Sequence, residues 1–160
     1  MKSTLTRTSM VVIALAVLMA SFAPAAYAAK CSTATVAGDW GFTLTGTILT
    51  PSGGVPAAAI ATSAFDKNGI ITNATEARNV GGGYADETIT GYWTVNSDCT
   101  GTLYVNAYES GLLVRISVVS MTFDDDSAEC RGVQKSLTLP DGTNVPVALT
   151  LECRKQHSDR

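Results

Sequence analysis

Histidine is nearly absent from this chain of 160 residues: His157 is the only one, and it stands in a polar C-terminal stretch. A buried Ser-His-Asp triad or a histidine-bound metal centre therefore has no histidine to draw on. No serine lies in a G-x-S-x-G elbow, so a hydrolase of that kind is also excluded. No C-x-x-C pair occurs among the four cysteines, and their long spacings argue against zinc. Basic runs are missing as well. With 11 Lys and Arg against 14 Asp and Glu the net charge is −3, which argues against nucleic acid or an anionic membrane surface as partner. Asp124-Asp125-Asp126 has neither the alternate ligand spacing nor the glycine of a calcium loop, and reads as a solvated turn. No metal and no cofactor is expected.

Only one apolar run is present, and it stands at the N-terminus. Lys2 and Arg7 precede an uncharged stretch from Met10 to Phe22. Pro24 follows it, and Ala26-Tyr27-Ala28 then places small residues at the −3 and −1 positions of a peptidase site. That three-part pattern reads residues 1–28 as a cleavable signal peptide. The run is shorter than the ~20 residues a membrane-spanning helix needs. Lys30 before Cys31 does not suit lipoprotein processing. The expected product is secreted or periplasmic, without a membrane anchor after cleavage. Its organisation would be a single domain over residues 29–153 and a polar tail over residues 154–160. All the acidic residues lie beyond the signal segment, so the exported part is more acidic than the whole.

An even number of cysteines in an exported chain points to two disulfides. Cys130 and Cys153 flank a hairpin signal, which brings them together and leaves Cys31 for Cys99.

No stretch shows helical periodicity. Eight extended segments instead alternate with turn signals, at residues 39–49, 55–65, 70–79, 84–95, 102–108, 112–123, 130–139 and 145–153. In the first, Trp40, Phe42, Leu44 and Ile48 alternate with Thr43, Thr45 and Thr47, the period of a strand with one buried face. A two-residue loop at Ser110-Gly111 would set Ala107, Val105 and Leu103 opposite Val114, Ile116 and Val118, with Trp93 and Val95 on the same face. In the last hairpin the loop that matches apolar faces puts Cys130 and Cys153 on opposite sides, and a β-bulge near Cys130 would reconcile the two. Eight strands joined by short hairpins predict an all-β fold, an antiparallel up-and-down barrel, because closure removes both exposed edges. A two-sheet β-sandwich is the alternative.

Gly38-Asp39-Trp40 resembles the G-x-W opening of the calycins, the group of lipocalins and avidins. The resemblance implies a barrel plugged at one end by Trp40, with Arg154 from the last strand packed on it. The segments around Trp40-Gly41-Phe42, Ser97-Asp98-Cys99 and Pro140-Asp141-Gly142 are similar to small exported bacterial proteins of unknown function. That likeness implies an architecture and no activity.

One constellation stands out for chemistry. A two-residue loop at Asn68-Gly69 would put Phe65, Ser63, Ala61, Thr72, Ala74, Glu76 and Arg78 on one face. With Phe65 inward, Glu76 and Arg78 enter the barrel, and Glu87 joins them on the face of Trp93. The candidate ligand-binding residues are then Trp40, Phe42, Phe65, Glu76, Arg78, Glu87 and Trp93, in a lumen also lined by Leu44, Val105 and Ile116. The opposite orientation turns Ile60 inward and leaves the charges as an exposed pair, and the cost of burying charge favours it. The leading expectation is a non-enzymatic barrel that binds a small, partly apolar molecule. A structural or surface-interaction protein with a filled barrel is the first alternative. A barrel-cyclase-like enzyme using a carboxylate such as Glu87 is the second.

Overall fold

In the computed structural model, which describes residues 31–124 and 126–156, eight antiparallel strands close into a barrel in sequence order. The segment read as a signal peptide and His157 lie outside the described residues. The strands are β1 (Gly38–Thr50), β2 (Gly53–Phe65), β3 (Ile71–Val80), β4 (Gly83–Val95), β5 (Thr100–Glu109), β6 (Leu112–Phe123), β7 (Glu129–Thr138) and β8 (Val147–Lys155). β8 pairs with β1 from Trp40 opposite Lys155 to Ile48 opposite Val147, so neither terminal strand is left as an open edge. β8 also runs two residues past Cys153, into what the sequence suggested was tail.

Alternation accounts for the two faces. The outward positions of β1 to β5 carry Thr43, Thr45, Thr62, Thr75, Thr88, Thr90 and Thr102, side chains that suit a pleated surface facing water. Close strand approach occurs at Gly46 and Gly91, both at positive φ. A Cβ there would stand 2.1 Å from the Ala148 carbonyl oxygen and 2.0 Å from that of Tyr104, so only glycine lets the sheet coil this tightly.

One barrel end is closed. A single helical turn, α1 (Thr33–Val36), which the sequence reading did not anticipate, lies over it. Ser32 caps it with Thr35 in a reciprocal capping box. Trp40 Nε1 donates to the Val36 carbonyl at 2.9 Å. Beneath α1, Trp40, Trp93, Phe65 and Phe123 form one aromatic cluster; Phe65 stacks on Trp93 at 3.7 Å, and Trp40 meets Trp93 edge-on at 5.6 Å. Each buried tryptophan contributes about 4–6 kcal/mol of gross hydrophobic stabilisation. The basic neighbour of Trp40 is Lys155, with Nζ 6.0 Å from the ring centre. Arg154 points outward and pairs with Glu129, so the role suggested for it falls to the next residue, which lies on the inner face.

Both disulfides pair as expected, Cys31 with Cys99 and Cys130 with Cys153, across Cα separations of 5.0 and 4.9 Å. They fit an oxidising compartment. The first ties the segment before α1 to the β4–β5 turn. The second links neighbours directly opposite in β7 and β8.

Three bulges shift the register from simple counting. The Ser110-Gly111 loop is a two-residue turn with both φ positive, but β6 then carries Val114 as an extra residue. Ala107, Val105 and Leu103 therefore face Arg115, Ser117 and Val119. Ile116 is turned outward and is 37% exposed, a correction to its place in the expected lumen. In β7 the extra residue is Lys135, since Gln134 and Ser136 face the consecutive Val119 and Val118. This is the bulge that reconciles the cysteines with Leu137 and Leu149, and it lies further along the strand than expected. Val133 faces Thr150 outward rather than Leu149. In β3 the extra residue is Thr72, and Ile71 takes the inner position opposite Phe65. The turn before it spans three residues, Lys67 to Gly69, closed by Asp66 Oδ1, which accepts from the Asn68 and Ile70 amides. Only Gly69 there has positive φ.

Candidate functional site: a charged network across the lumen

Phe65 points inward, so β2 presents Ala57, Ala59, Ala61 and Ser63 to the lumen, while Ile60 is 64% exposed outside. The burial cost had favoured the reverse, and the structure overturns it. β3 follows β2 in register, with Glu76 opposite Ala61 and Arg78 opposite Ala59. On β4, stepping back by twos from the buried Trp93 passes Gly91 and Ile89 and arrives at Glu87. Asp86 faces outward, where it accepts from the Tyr84 hydroxyl. Glu76 and Glu87 are thereby direct cross-strand partners, 7% and 2% exposed.

Two buried carboxylates side by side repel each other, and two guanidinium groups hold them together. Arg115, crossing from β6, donates through Nη2 to Glu76 Oε1 at 2.5 Å and to Glu87 Oε2 at 2.7 Å. Arg78 Nε donates to Glu87 Oε1. Both oxygens of Glu87 are thus occupied by cations. Arg115 Nη1 also donates to Ser117 Oγ at 3.2 Å, which in turn accepts from Gln134 Nε2 at 3.1 Å. Toward the rim, Arg78 Nη2 lies 3.7 Å from the carboxylate of Glu109. Burial raises the Glu76 carboxyl above its ordinary range, as does the Glu87 charge, while Arg115 and Arg78 pull it down.

The network divides the interior into two cavities. One, of about 40 Å³, lies toward the aromatic end against Phe42, Phe65, Ile71, Ile89 and Leu103. The other, of about 70 Å³, lies toward the hairpin end, with walls from Ile48, Ala57, Ala59, Val80, Leu137 and Leu149. Glu76, Arg115 and Gln134 border both cavities, and Arg78 borders the second alone.

The seven candidate residues fall into two groups. Glu76, Arg78 and Glu87 come together as the network. Trp40, Phe42, Phe65 and Trp93 come together at the closed end. Phe42 and Phe65 reach the inner cavity, but Trp40 and Trp93 are packed solid and line neither. Leu44 borders both cavities and Val105 the inner one. Arg115, Ser117 and Gln134 were not anticipated. The signal for the first two was present at the other end of β6: counting back by twos from Phe123 through Met121 and Val119 reaches Ser117 and then Arg115. Gln134 is likewise reached by counting in twos from the buried Cys130 through Gly132, whereas a count back from Leu137 misses it because the Lys135 bulge intervenes.

No protein-family model, curated protein or solved structure matches the chain.

Proposed function

We propose that this is an exported, non-enzymatic barrel that binds a small, partly apolar molecule in its lumen, with entry from the hairpin end. The observation that supports it most is the buried charge. A barrel whose interior served only to hold the fold together would gain more from apolar side chains, since buried ion networks rarely repay their desolvation. Here the network instead floors an apolar chamber narrowed by no side chain larger than alanine along β2. Trp40 beneath α1 supports a container closed at one end, the arrangement that the calycin resemblance implies. Export is part of the same reading, supported by the N-terminal pattern and the two disulfides.

The small volume of both cavities favours the filled-barrel alternative, so the test must separate the two. Native mass spectrometry of the disulfide-bonded protein recovered from its own host should show a retained small molecule. That molecule should be lost when Leu149→Trp fills the outer chamber. Bare protein under conditions that preserve the fold would count for the filled barrel. Turnover of any candidate substrate that vanished in Glu87→Gln would count for an enzyme.

A further inference from the structure

Resting on the lumen-binding reading, we propose that the hairpin-end chamber takes a small monoanion with a short apolar tail, a short-chain carboxylate, whose head group is held by Arg78. Glu76, Arg78 and Arg115 line this chamber. Counting Glu87 and Glu109, which also lie against the guanidiniums, the surroundings carry no positive excess, so free hydrogen-bonding capacity rather than net charge selects the ligand. Both oxygens of Glu87 are already engaged, and what the chamber still offers is a cationic donor for an entering head group.

Arg78 is the group able to receive it. Its side chain is 26% exposed against 13% for Arg115. Its Nε is committed to Glu87, but Nη2 has only the loose 3.7 Å approach to Glu109. Among the described residues Nη1 has no acceptor. A guanidinium with Nη1 unpaired and Nη2 only loosely held presents a fork suited to a carboxylate. Above it the walls are aliphatic, so the remainder of the ligand must be apolar, and a cavity of about 70 Å³ keeps it short. Ala57 and Ala59 leave the space that larger β2 side chains would fill.

The test is calorimetric titration of the full chain, produced in an exporting host and purified in its disulfide-bonded form, with propionate, propan-1-ol and propylamine at neutral pH. Propionate should bind tightest of the three, and Arg78→Gln should weaken it about tenfold or more, well beyond any loss seen for propan-1-ol. Formate should bind more weakly than propionate, because it leaves the aliphatic walls uncovered. Where Arg78→Gln fails to fold, the native protein's ranking of the three probes decides the matter. Equal binding of propan-1-ol, or a preference for propylamine, would overturn the anion assignment and leave lumen binding standing. Failure of all three probes to bind would overturn both.

Discussion

The register of β6 makes the most exposed commitment in this structure, because it decides whether Arg115 or Ile116 occupies the barrel interior. Arg115→Met and Ile116→Asn test it as a pair. Arg115→Met removes the guanidinium that bridges Glu76 and Glu87. Glu87 keeps Arg78, but Glu76 loses the one ion-pair partner it has among the described residues while remaining buried beside a second carboxylate. Breaking a buried pair in this way costs about 3–5 kcal/mol. For a domain of this size that corresponds to a Tm lower by roughly 10–20 °C. Ile116→Asn changes an outward side chain and should cost less than about 1 kcal/mol. The double variant Glu76→Gln/Arg115→Met should recover part of the loss, since the stranded charge is gone. Thermal unfolding at neutral pH, followed by near-ultraviolet circular dichroism of the buried tryptophans, reads all of these. If Ile116→Asn proves the more damaging, the bulge at Val114 is wrong, and the network falls with it.

Three further outcomes follow from the same geometry. Because burial raises the Glu76 carboxyl in the folded state, its stabilising contribution is complete below the unfolded carboxylate value and is lost as the pH rises through the folded one. The stability of the parent relative to Glu76→Gln should therefore fall as the pH goes from acid to neutral; denaturant titrations that give a flat or rising difference would contradict the burial argument. Replacing Cys31 and Cys99 by serine frees a loop of sequence separation 68 and should cost about 4 kcal/mol, while replacing Cys130 and Cys153, at separation 23, should cost about 3; the reverse order in denaturant unfolding would mean that native contacts, rather than loop entropy, dominate. Deleting Val114 removes only the extra residue of the bulge, so Arg115 stays opposite Ala107 and the chain should fold, whereas deleting Ile116 closes the bulge with Arg115 turned outward opposite Asn106 and Val114 in its place, which strips the carboxylates of their bridging cation; equal loss of folded protein in the two deletions would refute the register.

Faces were legible in the sequence where a strand carried a tryptophan as a fixed point. Trp40 orients β1 and Trp93 orients β4, and counting back in twos from Trp93 turns Glu87 the same way; the face of β2 was misassigned, because the cost of burying charge outweighed the apolar pull of Phe65. The closed barrel follows from eight short segments joined by hairpins, and the disulfides from the hairpin that Cys130 and Cys153 flank. Counting failed wherever a bulge intervened, because one extra residue reverses every side chain beyond it. β6 was especially misleading: Val114, Ile116, Val118 and Val119 are apolar on both parities, so the wrong register still matched apolar residues with apolar residues. Helix α1 is a single turn whose apolar contribution is Val36 alone, too short to leave a periodic trace. Arg154 and Lys155 are adjacent basic residues, and only the barrel's own register decides which of them reaches Trp40.

The same reasoning explains why the cost of burying charge did not decide the orientation of β2 and β3. Trp93 is committed to the core, and alternation without interruption along β4 then carries Glu87 inward with it. Glu76 is the residue that faces Glu87 across the pair, so turning Ile60 inward would have required breaking the β3–β4 register or exposing a tryptophan. With two carboxylates in place, alternation along β3 supplies one cation, Arg78, but regular alternation from the β5–β6 turn would have left Arg115 outside. The Val114 bulge re-aims β6 by one residue and brings both Arg115 and Ser117 into the lumen, and the Lys135 bulge keeps Gln134 within reach of Ser117. Two irregularities thus border the one polar layer of the interior, and each turns toward it a side chain that binds the network. Bulges that complete a buried polar site belong to its construction, because regular strands at these positions would have left the carboxylates without their second cation.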